Sequence, residues 1–272
     1  MTSPLAGMKV AVIGAGNMAE ALIGGALRAG VLQAGQVTAA DPDAERRAVF
    51  EALGVSATDD NLAAVSGADI VILAVKPQVA EEVLEGLAAV AAGRLFVSIM
   101  AGVGSRKIVA RLGNGVRVIR TMPNTPLLVG MGATALAAGR GADAEDMSRA
   151  RAIFEASGVA IQMHEHELDA VTAVSGSGPA YLFYLAEAMM NAAREEGLTP
   201  GAGRELVCAT LRGAAELLAS GTDSPAELRR RVTSPGGTTQ AAVEVLDSSG
   251  VGDKLIAAVR RAAERSRELG SK

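Results

Sequence analysis

The sequence predicts an α/β fold, with a doubly wound parallel sheet in the N-terminal part and an all-helical C-terminal part. Three observations carry this reading. Apolar runs rich in β-branched residues recur between helical patterns up to about residue 164, as parallel strands buried on both faces require. A glycine-rich turn joins the first such run to the first helical pattern. From His166 onward strand-like runs vanish, and helical patterns follow one another at 168–174, 180–196, 200–220, 226–232, 239–246 and 254–269. The boundary is placed there, giving domains 1–164 and 165–272.

The first strand is Val10–Ile13. It stops at Gly14, and a helix follows with Met18, Leu22, Ile23 and Ala26 on its apolar face. The turn Gly14-Ala15-Gly16-Asn17-Met18-Ala19 fits the dinucleotide fingerprint G-x-G-x-x-G/A. Gly14 allows the tight turn, Gly16 has no side chain to block a pyrophosphate, and Ala19 lets helix and strand pack closely. The N–H groups and dipole of the helix N-terminus then face the phosphates. The same glycines fit a merely structural turn, but their place after a strand and at the start of a helix points to a cofactor.

A second strand, Val37–Ala40, ends at Asp41, about 20 residues past the fingerprint, where an adenosine ribose is usually bound. A carboxylate there accepts from the 2′ and 3′ hydroxyls and repels a 2′-phosphate, which argues for NADH. Arg46 and Arg47 follow on the next helix, 44–53, and either reaching a 2′-phosphate reverses that preference. Asp41 or Asp43 equally suits capping of that helix. Both readings of Asp41 stay open at this point.

Residues 70–75 form the next apolar run and end in Lys76-Pro77. Residues 95–99 are followed by Ala101-Gly102-Val103-Gly104, and residues 116–121 by Met122-Pro123-Asn124-Thr125-Pro126, with helical patterns at 79–87 and Ser105–Leu112 between them. Two further strands, 133–138 and 159–162, flank a helix at 144–157. Ligands of such sheets bind beyond the carboxyl ends of the strands. The loops starting at Gly14, Lys76, Ala101 and Met122 are therefore expected to line one crevice.

Two clusters interrupt the helical half: Ser175-Gly176-Ser177-Gly178-Pro179 and Thr233-Ser234-Pro235-Gly236-Gly237-Thr238-Thr239. The second opens a helix, so its glycines expose consecutive backbone N–H groups suited to a carboxylate. Helix capping explains the same residues, and spacing alone does not separate the two.

Composition narrows the function classes. At 272 residues the length suits about two domains. Apolar residues make up 49% but aromatics only 2%, so the core must be built from Ala, Val, Leu, Ile and Met. Net charge is −4, and the basic runs Arg229-Arg230-Arg231 and Arg260-Arg261 read as solvated helix faces, which argues against a nucleic-acid surface. The single Cys208 cannot form an internal disulfide and reads as a small core residue. His164 and His166 match no motif and read as surface or capping residues rather than catalytic groups or metal ligands. No signal-like start and no apolar run of about 18 residues is seen, so a cytoplasmic protein without a membrane span is expected.

The run from Leu228 to Asp247, around Thr233-Ser234-Pro235-Gly236-Gly237-Thr238-Thr239, resembles the C-terminal signature of Δ1-pyrroline-5-carboxylate reductases. So do the fingerprint, Ala74-Val75-Lys76-Pro77, Met122-Pro123-Asn124-Thr125-Pro126 and Ser175-Gly176-Ser177-Gly178-Pro179-Ala180-Tyr181, in the family's order and approximate spacing. The resemblance implies reduction of Δ1-pyrroline-5-carboxylate to L-proline with NADPH or NADH. It also implies a Rossmann-type domain followed by an all-helical dimerisation domain, with five dimers often forming a decamer. Carried over residue by residue, Gly14, Gly16, Asn17 and Met18 hold the pyrophosphate and Asn61 lies by the adenosine. Ala74, Val75, Lys76 and Pro77 run along the cofactor, with Ala101 and Asn124 nearer the nicotinamide. Residues 175–179 form one wall of the substrate site. Gly236, Gly237 and Thr238 hold the substrate carboxylate through their N–H groups, and the Thr239 hydroxyl hydrogen-bonds the ring nitrogen.

Two positions depart from the family's pattern. Met100 stands where relatives more often have Ala, and a bulkier side chain beside the cofactor is expected to alter affinity. Asp41 stands where NADPH-preferring relatives often carry a neutral residue, which predicts that both cofactors work and that NADH is used relatively well. The β-hydroxyacid dehydrogenases share the two-domain plan but rely on a catalytic Lys in the helical half, and no Lys lies between Lys107 and Lys254. A non-catalytic dinucleotide-binding regulator has little reason to keep residues 234–239 beside an intact 175–179.

Overall fold

The strand β1 (Val10–Ile13) is the pivot of the chain, paired in parallel with β2 (Val37–Ala40) on one side and with β4 (Ile70–Leu73) on the other. The structure is a computed structural model and describes residues 4–270. Outward from β2 lies β3 (Ser56–Thr58). Outward from β4 lie β5 (Leu95–Ser98), β6 (Arg117–Met122), β7 (Gly132–Ala138) and β8 (Gly158–Gln162), giving the order β3-β2-β1-β4-β5-β6-β7-β8. The crossovers are α1 (Asn17–Arg28), α2 (Ala44–Ala52), α3 (Asn61–Ser66), α4 (Ala80–Leu87) and α5 (Ser105–Leu112), and α6 (Ala144–Glu155) joins β7 to β8. The reversal of strand order at β1 is the topological switch point at which such sheets bind ligands.

At the centre of the sheet both faces are dry. Along β1, Val10 and Val12 pack with Leu22, Ile23, Phe50 and Phe154 on one face, and Ala11 and Ile13 pack with Val71, Leu84, Phe96 and Ile108 on the other. This alternation explains the unbroken apolar runs, since every side chain of a doubly covered strand is buried. Each large aliphatic side chain so buried contributes about 1.5–3 kcal/mol relative to exposure.

One expectation is corrected by the sheet. β7 pairs antiparallel with β6, so the sheet is mixed. The connection is a single 3-10 segment, Thr125–Val129, and a parallel return needs a crossover of about a dozen residues or more. Two short elements, β3 and α3, add to the predicted set. The helix α3 owes its start to Asp60, whose carboxylate accepts from the N–H groups of Leu62 and Ala63.

After β8 the chain forms α7 (Leu168–Val171), which runs into a π-helical turn, Thr172–Gly176. The helices α8 (Gly178–Glu195), α9 (Pro200–Ser220), α10 (Pro225–Arg231), α11 (Thr238–Ser248) and α12 (Val251–Gly270) follow. By compactness the chain divides into one unit that runs up to Ser177 and resumes at Ala262, and a second of Gly178–Arg261. The division thus keeps α7, the π turn and the end of α12 with the sheet, whereas the sequence division at 164 groups them with the helical half. The returning end of α12 is well anchored in the first unit. Ser266 is buried and donates its hydroxyl to Asp169 Oδ1 at 2.6 Å, and a Cβ at Gly270 would stand 3.0 Å from the Gly102 carbonyl oxygen.

The second unit is built differently. α8, α10 and α11 bury no residue, and α9 buries only Gly203 and Val207. Phe183 is 70% exposed, and Leu182, Leu206, Leu217 and Leu218 are exposed as well. A single chain does not cover these stripes, which removes the alternative of a one-chain core. Cys208 is exposed rather than a core residue, because its helix has so little core to enter. Among the described residues no helix is long and apolar enough to cross a membrane.

Candidate active site

The register of the sheet brings the expected cofactor residues to one edge. Ile13 aligns with Ala40 and Leu73, Leu73 with Ser98, and Ser98 with Arg120. The segments that follow these residues therefore leave from the same carboxyl edge: Gly14–Met18 after β1, Asp41 after β2, Ala74–Pro77 after β4, Ala101 after β5 and Asn124 after β6. Asn61 opens α3 and lines a cavity of about 390 Å³ with Leu62, Glu82 and Val83.

Gly14 has φ +95°, and a Cβ there would meet the Ala74 carbonyl carbon and oxygen at 2.8 Å. No other residue fits between the crossing of β1 and the loop after β4. Gly16 differs, because a Cβ built on it meets nothing within 4 Å. It is the N-cap of α1, and no side chain caps that helix. Open space in front of uncapped N–H groups is what a pyrophosphate needs, so the residues present fit a dinucleotide.

Asp41 does not itself cap α2: the N-cap is Asp43, and Asp41 braces the turn around it. Its Oδ1 accepts the Asp43 N–H at 2.9 Å, tightening the turn in which Asp43 caps α2. Its Oδ2 accepts the Ala15 N–H of the glycine turn at 2.7 Å. Each carboxylate oxygen keeps a lone pair, so the ribose reading is not blocked. Met100, in contrast, is buried in the core beneath the sheet with Phe96 and Ile108, so it does not crowd the cofactor edge.

Asn124 is buried and fully engaged. Its Oδ1 accepts the Ala133 N–H at 2.8 Å, and its Nδ2 donates to Ser175 Oγ at 3.1 Å and to the Ser175 carbonyl at 3.3 Å. It ties the loop after β6 to the start of β7 and to the π turn. That turn is closed by the Ser177 N–H donating to the Thr172 carbonyl at 2.8 Å. A π insertion turns the Ser175-Gly176 backbone out of regular helix, and such insertions concentrate at functional sites. Gly176 is required by packing, since a Cβ there would lie 2.6 Å from Met122 Cε. Sequence reading marked residues 175–179 as an interruption of the helical half but missed the π turn at Thr172–Gly176, because i→i+5 bonding has no signature in residue type.

Beside these groups, Glu165 accepts the Ser105 N–H at 2.7 Å and lies 3.6 Å from Arg120 Nη1. It anchors the start of α5, directly after the Ala101–Gly104 loop. His164 and His166 stack on each other with ring centroids 5.6 Å apart, and the His164 N–H donates to Glu167.

In the second unit, Gly178 and Pro179 open α8, and residues 236–239 open α11. Gly236 has φ +71°, and its N–H donates to Gln240 Oε1 at 2.7 Å. The Gly237 N–H donates to the Ser234 carbonyl at 3.0 Å, while the Thr238 N–H makes no hydrogen bond to the described residues. The Gly236 N–H is thus taken by an internal acceptor, Gln240, which the sequence motif did not single out. The neighbouring arginine run is paired: Arg230 holds the Glu227 carboxyl below its ordinary range by hydrogen bonding, and Arg231 reaches Asp223 at 2.6 Å.

A doubly wound sheet, an uncapped glycine turn at its switch point and a separate helical unit with uncovered apolar stripes define a dinucleotide-dependent oxidoreductase of the two-domain type. The family model described as "Pyrroline-5-carboxylate reductase dimerisation" matches residues 165–269, and "NADP oxidoreductase coenzyme F420-dependent" matches residues 9–102. A pyrroline-5-carboxylate reductase of Pseudomonas aeruginosa is 44% identical, over 96% of this chain and 98% of its own. The solved structure of a pyrroline-5-carboxylate reductase from Coxiella burnetii matches at TM-score 0.89 and 36% identity, covering 96% of this chain and 98% of that one. That of Plasmodium falciparum pyrroline carboxylate reductase, with NADP bound, matches at TM-score 0.90 and 26% identity, covering 97% and 98%. The chain belongs to the pyrroline-5-carboxylate reductase family.

Proposed function

We propose that this chain carries out its family's reaction, reduction of the C=N bond of Δ1-pyrroline-5-carboxylate by NAD(P)H to give L-proline, the last step of proline biosynthesis. It is an NAD(P)H-dependent oxidoreductase acting on a small imine. The observation that carries this reading is the uncapped glycine turn at the switch point, in a chain 44% identical over nearly its full length to a pyrroline-5-carboxylate reductase. Residues 1–164 act as the cofactor domain and 165–272 as the substrate and dimerisation domain. The dimerisation region makes the protein a homo-oligomer. The uncovered stripes of α8 and α9 support a homodimer, and assembly of dimers into a decamer follows the family's habit. A cytoplasmic location suits the single exposed Cys208.

When bound, the nicotinamide supplies the hydride. Gly14, Gly16, Asn17 and Met18 receive the pyrophosphate on the α1 N-terminus, Asp41 the ribose, and Asn61 the adenosine. Ala74, Val75, Lys76 and Pro77 flank the cofactor, and Ala101 lies toward its nicotinamide end. Asn124 works there through Ser175, which it holds by two hydrogen bonds. Ser175, Gly176, Ser177, Gly178 and Pro179 wall the imine. Gly236, Gly237 and Thr238 face its carboxylate, with the Gln240 side chain yielding the Gly236 N–H as substrate enters. An imine nitrogen is basic enough to arrive protonated, so no strong acid is needed. The half-buried Thr239 hydroxyl fixes that nitrogen, and the protein's task is orientation.

The test is oxidation of NADPH and of NADH with and without pyrroline-5-carboxylate, in the wild type and in Thr239→Ala. Substrate-dependent oxidation with both cofactors is expected, with turnover in Thr239→Ala about 10- to 100-fold lower and cofactor Kd within about twofold, the scale of one lost hydrogen bond to a charged group. Turnover unchanged in Thr239→Ala would remove the hydroxyl from the chemical step.

A further inference from the structure

The central residue of the glycine turn is gripped from two sides. The Ala15 N–H donates to Asp41 Oδ2 at 2.7 Å, and the Ala15 carbonyl accepts from Arg46 Nε at 2.6 Å. Arg46 continues outward, its Nη2 donating to Glu20 Oε2 at 2.7 Å from the first turns of α1. Its Nη1 makes no hydrogen bond to the described residues. The other arginine of this region, Arg47, places Nη1 on the carbonyls of Asp41 and Pro42 at 2.8 and 2.9 Å and makes no hydrogen bond to the glycine turn or to Glu20. Of the two cations near the expected adenosine ribose, Arg46 is the one held in an ion pair, with Glu20. Two carboxylates, Asp41 and Glu20, hold its surroundings negative.

We propose that Glu20 is a specificity-determining residue of the cofactor site: by holding Arg46 against the glycine turn it withholds that guanidinium from a ribose 2′-phosphate, and so sets the balance between NADH and NADPH. The inference rests on the cofactor reading of the glycine turn and goes beyond it. A ribose 2′-hydroxyl is neutral and needs only Asp41, so the Glu20–Arg46 pair does not affect it. A 2′-phosphate carries close to two negative charges and must compete with Glu20 for Arg46 while facing both carboxylates. The pair is partly exposed, 24% and 38% at the two side chains, so its hold is modest and NADPH is disfavoured rather than excluded.

The experiment is calorimetric titration of the full-length protein with 5′-AMP, 2′,5′-ADP, NADH and NADPH, in the wild type, Glu20→Gln, Arg46→Gln and the double variant. Glu20→Gln keeps the shape of the side chain and removes its charge. It is expected to tighten 2′,5′-ADP and NADPH by about fivefold and leave 5′-AMP and NADH within about twofold. Arg46→Gln is expected to weaken the 2′-phosphorylated ligands, and in the double variant the gain from Glu20→Gln should vanish, the signature of two residues acting through one contact. The loss of the Ala15 contact in Arg46→Gln bears on both ligand classes alike and cancels in their ratio. If Glu20→Gln leaves the ratio unchanged, or its gain survives in the Arg46→Gln background, the inference is overturned while the cofactor site stands. If the folded wild type binds neither 5′-AMP nor NADH, the cofactor reading itself falls, and the inference with it.

Discussion

Asn124 offers the sharpest test of how the fold serves the site, because one side chain has two separable tasks. Asn124→Asp keeps an oxygen for the Ala133 N–H but replaces the Nδ2 donor with an acceptor facing the Ser175 carbonyl and hydroxyl. Two hydrogen bonds of 3.1 and 3.3 Å are lost, each worth about 0.5–1.5 kcal/mol net, for a total of about 1–3 kcal/mol. The loss falls on the placement of the π turn rather than on the sheet. If it is expressed in the transition state, turnover drops by about 5- to 150-fold. Asn124→Ala removes the Ala133 acceptor as well and leaves that part-buried N–H without its partner, which adds about 1 kcal/mol of destabilisation. Urea unfolding should therefore rank the wild type above Asn124→Asp and Asn124→Ala lowest, while steady-state assays show the loss of turnover already complete in Asn124→Asp. Turnover in Asn124→Asp within twofold of the wild type would refute the view that Asn124 positions Ser175.

Gly14→Ala places a Cβ 2.8 Å from the Ala74 backbone in a left-handed conformation, so titration should show NADH affinity reduced at least about tenfold together with a lowered Tm. Phe183→Glu puts a charge on the uncovered stripe of α8, and light scattering should report a smaller assembly than that of the wild type. Asp143 caps α6 by accepting the Asp146 N–H, and this bond holds its carboxyl below the ordinary range. Because the folded value is the lower one, its stabilisation is present above the unfolded pKa and lost as pH falls through the folded one. The Tm difference between wild type and Asp143→Ala should thus be full at neutral pH and close in the acid range.

What could be read in the sequence was what the backbone states in apolar pattern. Val10–Ile13 and Ile70–Leu73 announce themselves because a strand covered on both faces has no polar position to interrupt it. Ser56–Thr58 does not, since an edge strand of three residues has neither length nor apolar content. The direction of β7 was hidden because pattern records burial and not sense, and only the shortness of the connection after Met122 gives it away. Cys208 shows the opposite limit: an apolar stripe looks the same whether its partner is the same chain or another. Asp41 could be assigned either to the ribose or to a cap; the cap proved to be Asp43, and the Asp41 carboxylate holds Asp43 and Ala15 together. Distances between segments far apart in sequence, such as Arg46 to Ala15, have no trace in spacing at all.

The first unit resumes at Ala262 after the helical unit has been traversed, with Ser266 on Asp169 and Gly270 against Gly102. The helical unit is in this sense an insertion, joined by two passages of chain rather than one. During synthesis, the sheet therefore emerges long before the segment that anchors the Gly102 loop, and that loop stays unbraced until residues 262–270 have left the ribosome. Cutting the chain after Ser177 reproduces this unfinished state, and the shortened protein keeps its glycine turn but lacks the brace on the Gly102 loop.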